Sequence, residues 1–72
     1  MFKTAYPNFD RELKIKRFTV RSLALHSGMK YMTLYAKVKN GKNLTIDEAL
    51  LLKATLESDL PIEELFEKKV AI

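Results

Sequence analysis

The basic side chains are the residues of this 72-residue sequence whose type and spacing could do chemistry. Between Arg11 and Lys42 the chain has nine lysines and arginines against one acid, Glu12, which gives a formal charge of +8. From Asn43 to Ile72 it has three basic and seven acidic residues, a formal charge of −4. A segment so rich in one sign predicts binding to a polyanion, although a solvated basic surface would have the same composition.

Side chains suited to catalysis or metal binding are scarce. The chain has no cysteine and one histidine, His26, which we interpret as a surface residue near a helix end. A structural zinc site takes four Cys, His or carboxylate ligands, which this composition supplies poorly. We also find no glycine-rich phosphate loop and no nucleophile–base pair. We therefore expect no enzyme, no catalytic residue, no metal site and no cofactor.

Length and hydrophobicity predict one small domain. A chain of 72 residues without disulfides needs a dense apolar core, and 47% hydrophobic residues are enough to form one. We expect that core to span about residues 9–66, with frayed termini. No signal peptide is visible, and no apolar run approaches the ~20 residues that cross a bilayer. These features predict a soluble, cytoplasmic protein that does not bind membranes.

The elements that must position the basic residues are helices. Pro7 and Pro61 lie where helices would begin, and Gly28 and Gly41 lie where helices would turn or end. This spacing predicts an all-α bundle of about five short helices, over residues 8–16, 20–26 and 30–39 and from residues 45 and 61 onward. Residues 57–60 would link the last two, and residues 68–72 would form a frayed tail.

Each predicted helix has an N-cap or an apolar face that supports it. Asn8, Thr19 and Thr45 are expected N-caps, and Glu48 completes a capping box with Thr45. The helical period places several apolar residues inward. These are Phe9, Leu13, Leu23, Ala24, Leu34, Val38, Ala49, Leu52 and Leu56, with Leu50 widening the fourth stripe and Ile62, Leu65 and Phe66 closing the core.

Residues 19–40 resemble the helix-turn-helix of the lambda repressor and Cro family. The residues that carry the resemblance are Thr19, Leu23, Ala24, Gly28, Met29, Leu34 and Val38. It extends over about residues 13–66, because the last two helices resemble those that close the same domain. The chain is most similar to short Cro-like and modulator-of-repression proteins of Gram-positive temperate phages. The resemblance implies a lambda-repressor-like bundle that acts in a bacterial host cell.

The resemblance also implies which residues meet DNA. In that family the start of the second motif helix contacts base edges in the major groove. The matching positions hold Tyr31, Met32 and Tyr35, our candidates for base reading or partner docking. Candidates for phosphate contacts are Arg21, Lys30, Lys37, Lys39, Lys42 and Asn43. Surface solubility would explain any one lysine equally well, and Met32 could instead belong to the core.

Two departures from the family pattern bear on function. Many members have glutamine at the start of the first motif helix, where this chain has Val20. The reading positions also lack the glutamine, asparagine and arginine that make bidentate base contacts. A Tyr-Met-Tyr surface resembles a protein-binding surface as much as a base-reading one.

Two functional hypotheses follow. In the first, the protein is a transcriptional regulator of a lysogeny–lysis genetic switch that binds double-stranded operator DNA through the helix at about residues 30–39. In the second, it is a modulator of repression that docks the same face on the cognate phage repressor, masking it or forming a joint complex on DNA. We expect a monomer or a weak dimer in either case, because no dedicated dimerisation element is visible.

Overall fold

The computed structural model describes residues 3–68, and all regular structure in that range is helical. The helices are α1 Pro7–Ile15, α2 Val20–Ser27, α3 Tyr31–Asn40, α4 Ile46–Leu56 and α5 Ile62–Leu65. This confirms the all-α bundle of about five short helices, with bounds close to those predicted. None of the described helices combines the length and apolar character needed to traverse a bilayer.

The predicted N-cap of α1 is wrong. Asn8 is the second residue of the helix, and Tyr6 occupies the cap position without a side-chain hydrogen bond. Pro7 takes the first helical position, where its fixed φ fits and no N–H is missed. The Asn8 side chain serves the tertiary structure instead, because its Nδ2 donates to the carbonyl oxygen of Glu64 over 2.8 Å. Asn8 therefore fastens α1 to α5.

Capping boxes begin α2 and α4. Thr19 accepts from the backbone N–H of Ser22, whose hydroxyl accepts from the backbone N–H of Thr19. Thr45 and Glu48 make the same reciprocal pair at α4, as the sequence predicts. Each box satisfies two amides that the helix itself leaves without partners.

The core lies where the inward residues of all five helices meet. Phe9, Leu23, Leu34, Val38, Leu52 and Leu65 are fully buried, and α2 packs on both α3 and α4. Phe66 closes one end, where its ring stacks on Phe9 and meets the edge of Tyr6, both at 5.3 Å between centroids. The predicted place of Leu50 is wrong. It is 48% exposed, because it lies one residue past the buried Ala49 and so turns away from the Ala49–Leu52–Leu56 face.

The N-terminal segment belongs to the folded domain, so the core begins before residue 9. Tyr6 is 4% exposed, and the amide of Ala5 donates to the carbonyl of Val38 at the end of α3. The amide of Thr4 donates to both carboxylate oxygens of Asp10, at 3.1 and 3.0 Å. These bonds hold the segment across α1 and α3. Of the predicted tail at residues 68–72, all but Lys68 lies outside the described range.

Gly41 permits that crossing. It ends α3 with φ of +65°, in the left-handed region that favours glycine. A Cβ there would lie 2.8 Å from the Cβ of Ala5, closer than the two carbons can approach. Gly28 ends α2 with φ of +80°, but a Cβ at this position would meet open space. Gly28 is therefore favoured by its backbone angle alone, and Gly41 by angle and space together.

The segment between α4 and α5 is tied to α1. Ser58 is 6% exposed, and its hydroxyl donates to Glu12 Oε1 over 2.7 Å. The amide of Leu60 donates to the same hydroxyl, and the Lys53 ammonium donates to the carbonyl of Ser58. The buried serine thus has its hydrogen-bonding groups satisfied, which avoids the cost of burying them alone.

Candidate nucleic-acid interface

Helix α3 is held on the core by one face and exposes the other. Leu34 and Val38 are fully buried, four residues apart. The opposite face is exposed at Met32, Thr33, Ala36, Lys39 and Asn40. Residues 28–30 join α2 to α3, and Ala24, 2% exposed, lies inside the α2 helix that packs on α3. The interior of the fold therefore fixes which side of α3 can meet a partner.

The three predicted reading residues do not form one patch. Met32 is 71% exposed, so it does not belong to the core. Tyr31 and Tyr35 are half-buried and pack against the core, with 5.7 Å between their ring centroids. The two tyrosines line one flank of α3, and Met32 stands on its exposed side. Each tyrosine therefore packs partly against the core, whereas the sequence predicted that both would face outward.

Arg21 joins this flank from α2. Its guanidinium carbon lies 4.3 Å from the centroid of the Tyr31 ring, a cation–π geometry. This contact restricts the side chain, and the exposed guanidinium can still donate hydrogen bonds to an anion. Val20, at the position where the resemblance would place a glutamine, is 6% exposed and is part of the core. Arg21 is thus the polar group that α2 offers at this edge.

The other predicted phosphate ligands differ in surroundings. Lys30, Lys39, Lys42 and Asn43 are exposed at the two ends of α3 and in the following loop. Lys37 is partly buried, and its ammonium forms an ion pair with Glu48 of α4 at 2.5 Å. This hydrogen bond from Lys37 is the main reason why the pKa of Glu48 is lowered, and the Thr45 amide adds to it. The charge of Lys37 is therefore largely offset within the protein.

The N-terminus of α3 lacks the side-chain cap that begins its neighbours α2 and α4. Lys30 is its N-cap residue and makes no side-chain cap bond, and no acid lies in the first turn. Basic residues near a helix N-terminus oppose the helix dipole, whereas Lys37 and Lys39 in the last turn favour it. The amides that begin α3 are thus left without a side-chain acceptor.

Sequence reasoning missed two exposed polar residues of α3. Thr33 and Asn40 lie on the same exposed side as Ala36, next to Lys42 and Asn43 in a shallow cleft of the surface. A helical period anchored on Leu34 and Val38 would have placed both on the outer face, at 100° per residue. Both side chains can donate and accept hydrogen bonds, so they add polar groups to a face expected to be largely apolar.

His26 fits its interpretation as a surface residue. It is exposed, with Nδ1 2.8 Å from the carbonyl oxygen of Ser22 and its ring edge-on to Phe18. Within residues 3–68 no group of three or more His, Asp or Glu side chains is arranged to hold a metal ion. Comparisons with protein-family models, with curated proteins and with solved structures found no match.

Proposed function

We propose that this protein is a transcriptional regulator of a phage-type genetic switch, which binds double-stranded operator DNA through the exposed face of α3. The observation that carries the proposal is the placement of cations around that face. Arg21, Lys30, Lys39 and Lys42 border a helix whose inner side is fixed by Leu34 and Val38. A helix presented in this way can lie in the major groove as a recognition helix does, with the lysines at its two ends near the phosphates of the two strands.

In this proposal the bases are recognised by exposed side chains along the length of α3. The Met32 side chain and the Ala36 methyl can contact a thymine methyl, and Thr33 and Asn40 can form hydrogen bonds with base edges. Tyr31 and Tyr35 hold the flank in shape, because both rings pack against the core. Lys37 contributes little to phosphate binding, because Glu48 is its partner.

The test is binding to DNA as a function of salt. A randomised duplex pool is enriched on the protein, and a selected duplex is compared with its scrambled version by fluorescence anisotropy. Binding should weaken steeply between about 50 and 200 mM salt, and Lys30→Gln or Lys39→Gln should each reduce the log–log slope by about 1. Lys16→Gln is the matched control, since Lys16 is exposed at the C-cap of α1, outside both α2 and α3. Equal affinity for selected and scrambled duplexes would refute the proposal.

A second candidate function, modulation of a repressor, is favoured by one observation. Met32 is 71% exposed in the first turn of α3, and a large apolar side chain so exposed suits a protein partner. In this alternative the same face docks on the cognate phage repressor and either masks it or joins it on DNA.

One substitution separates the two functions. Met32→Lys removes a thymine contact but adds a cation to a DNA-binding face, so affinity for duplex of any sequence should hold or rise. The same change places a charge in the centre of a protein interface, where it should abolish co-purification with the repressor. Loss of DNA binding with intact repressor binding would reverse this assignment of Met32.

A further inference from the structure

A groove of about 1000 Å³ runs beside the tyrosine flank of α3. Its walls are the N-terminal segment, the outer side of α1 and the first residues of α2 and α3. The N-terminal wall is fixed by the hydrogen bonds from Thr4 to Asp10 and from Ala5 to Val38. The groove is therefore formed by segments that are far apart in the sequence and are joined by these hydrogen bonds.

Cations dominate the rim of this groove. The lining residues in the described range include five basic side chains, Lys3, Arg11, Lys14, Arg21 and Lys68. A single carboxylate, Asp10, lies among them, and both of its oxygens accept the Thr4 amide. Five cations against one carboxylate make the electrostatic potential of the groove positive, which favours an anionic ligand.

The floor of the groove is apolar and aromatic. Leu13 and Val20 are 7% and 6% exposed, and the partly buried Phe18, Tyr31 and Tyr35 flank them. Arg21 lies over Tyr31 at the edge, so its charge and the ring form one surface. An apolar floor below a cationic rim fits a ligand that has acidic groups and at least one apolar side chain. Pockets of this size enclose ligands of a few residues or less.

We propose that the groove binds an acidic peptide segment of a partner protein, anchored by a leucine or phenylalanine. Duplex DNA carries charge on a wide, rigid rod, so it can contact the rim but leaves the floor empty. A flexible acidic chain can contact both. Arg21 and Tyr31 belong to the groove and to the edge of α3, so an occupied groove excludes DNA from that edge. This exclusion rests on the proposed DNA-binding function, whereas peptide binding does not.

The probe is a fluorescein-labelled twelve-residue peptide of Glu, Asp, Leu and Phe, titrated with the full chain. One control peptide has Gln and Asn in place of the acids, and another has Ser in place of Leu and Phe. We expect both controls to bind about tenfold more weakly, because each removes one of the two contacts that the groove offers. Equal binding of the peptide that lacks Leu and Phe would show a general attraction of charge and overturn the proposal.

Two double variants test the location. Arg11→Glu with Lys14→Glu reverses charge on the α1 wall, and Lys16→Glu with Arg17→Glu makes the same change in net charge just beyond it. The first should weaken the peptide about tenfold and the second far less. Equal losses would overturn the proposal. Unchanged circular dichroism shows that both variants fold.

A last arm adds the peptide to a preformed DNA complex. Release of labelled duplex supports exclusion at the shared Arg21–Tyr31 edge, and simultaneous binding overturns it. If no duplex binds at all, the proposed function fails, and the peptide titration still decides whether the groove binds acidic segments.

Discussion

Helices α3 and α4 are nearly equal in length and are packed on the same core, yet their sequences stabilise them in different ways. Leu34 and Val38 bury one side of α3, and Leu52 and Leu56 bury one side of α4. Helix α4 begins with a capping box and has acids in its first turn, all of which favour the helix locally. Helix α3 has no capping box and no acid in its first turn, and its N-cap residue is a lysine.

The difference indicates that α3, unlike α4, lacks residues that would stabilise its first turn locally. A short helix is marginal by itself, so α3 depends on its contacts with the core. Its N-terminal amides have no side-chain cap and Lys30 opposes the helix dipole, so neither feature stabilises α3 locally. Natural sequences depart from the rules of local stability mainly at functional sites. The contrast between α3 and α4 therefore agrees with the proposed role of α3.

The largest expected effect tests the packing of α3. Leu34→Ala removes a fully buried side chain and should lower the free energy of unfolding by about 2–5 kcal/mol. In a domain this small, such a loss is a large fraction of the total stability. Leu50→Ala makes the same chemical change on the 48% exposed outer side of α4 and should cost well under half as much. Urea unfolding followed by circular dichroism measures both. Equal costs would show that the outer side of α4 is covered in solution.

The next effect concerns the end of α3. Gly41→Ala should cost about 1–2 kcal/mol for the left-handed backbone, with a further loss because its Cβ meets Ala5. Gly28→Ala has the same backbone cost and no clash. The double variant Gly41→Ala with Ala5→Gly should recover the excess of the first over the second. Thermal melts of the four proteins give the comparison. An excess that Ala5→Gly leaves unchanged would mean that the N-terminal segment does not lie against Gly41.

The scaffold of α3 could be predicted from sequence because it rests on local rules. Thr19, Gly28 and the Leu34–Val38 pair each act within one helix or turn, and the structure places all of them as expected. The same holds for the Thr45 cap, whose partner lies three residues away. Periodicity and capping are short-range, so a single sequence contains enough information to identify them.

The surroundings of α3 could not be predicted, because they depend on contacts between distant residues. Tyr6 is buried by Phe66, and Asn8 bonds to Glu64, neither of which any spacing rule connects. The pairing of Lys37 with Glu48 similarly requires knowing how α3 meets α4. Two tyrosines at outward-facing positions became half-buried for the same reason, since the N-terminal segment and α2 form a groove against them.

A smaller effect compares the two helix starts directly. Thr45→Ala removes the cap of α4 and should cost about 1 kcal/mol. Lys30→Ser gives α3 a cap residue and removes an unfavourable charge, so it should raise the free energy of unfolding by about 0.5–1 kcal/mol. The same variant should weaken duplex binding. Urea midpoints and anisotropy report the two quantities. If Lys30→Ser neither stabilises the fold nor weakens DNA binding, then Lys30 does not lower the stability of α3 in favour of a partner.

The smallest effect lies where the two helices meet, at the Lys37–Glu48 ion pair. The pKa of Glu48 is lowered in the folded protein, first by the hydrogen bond from Lys37 and then by the Thr45 amide. A carboxyl whose pKa is lower in the folded than in the unfolded protein stabilises the fold at any pH above its unfolded-state pKa. This stabilisation disappears as the pH falls through the folded-state pKa. The free energy of unfolding should therefore decrease as the pH is lowered from the unfolded-state pKa of Glu48 to its folded-state pKa.

Glu48→Gln should flatten part of this decline, because glutamine keeps the capping bond with Thr45 but has no charge to titrate. The matched control is Glu63→Gln, an exposed carboxyl in the first turn of α5, which should leave the slope nearly unchanged. Urea unfolding at a series of acidic pH values measures the slope for each protein. If Lys37→Gln flattens the slope as Glu48→Gln does, the ion pair is the cause, and Lys37 is committed to holding α3 against α4. If Lys37→Gln leaves the slope intact, the Thr45 amide alone lowers the pKa, and the ammonium of Lys37 is available to a phosphate after all.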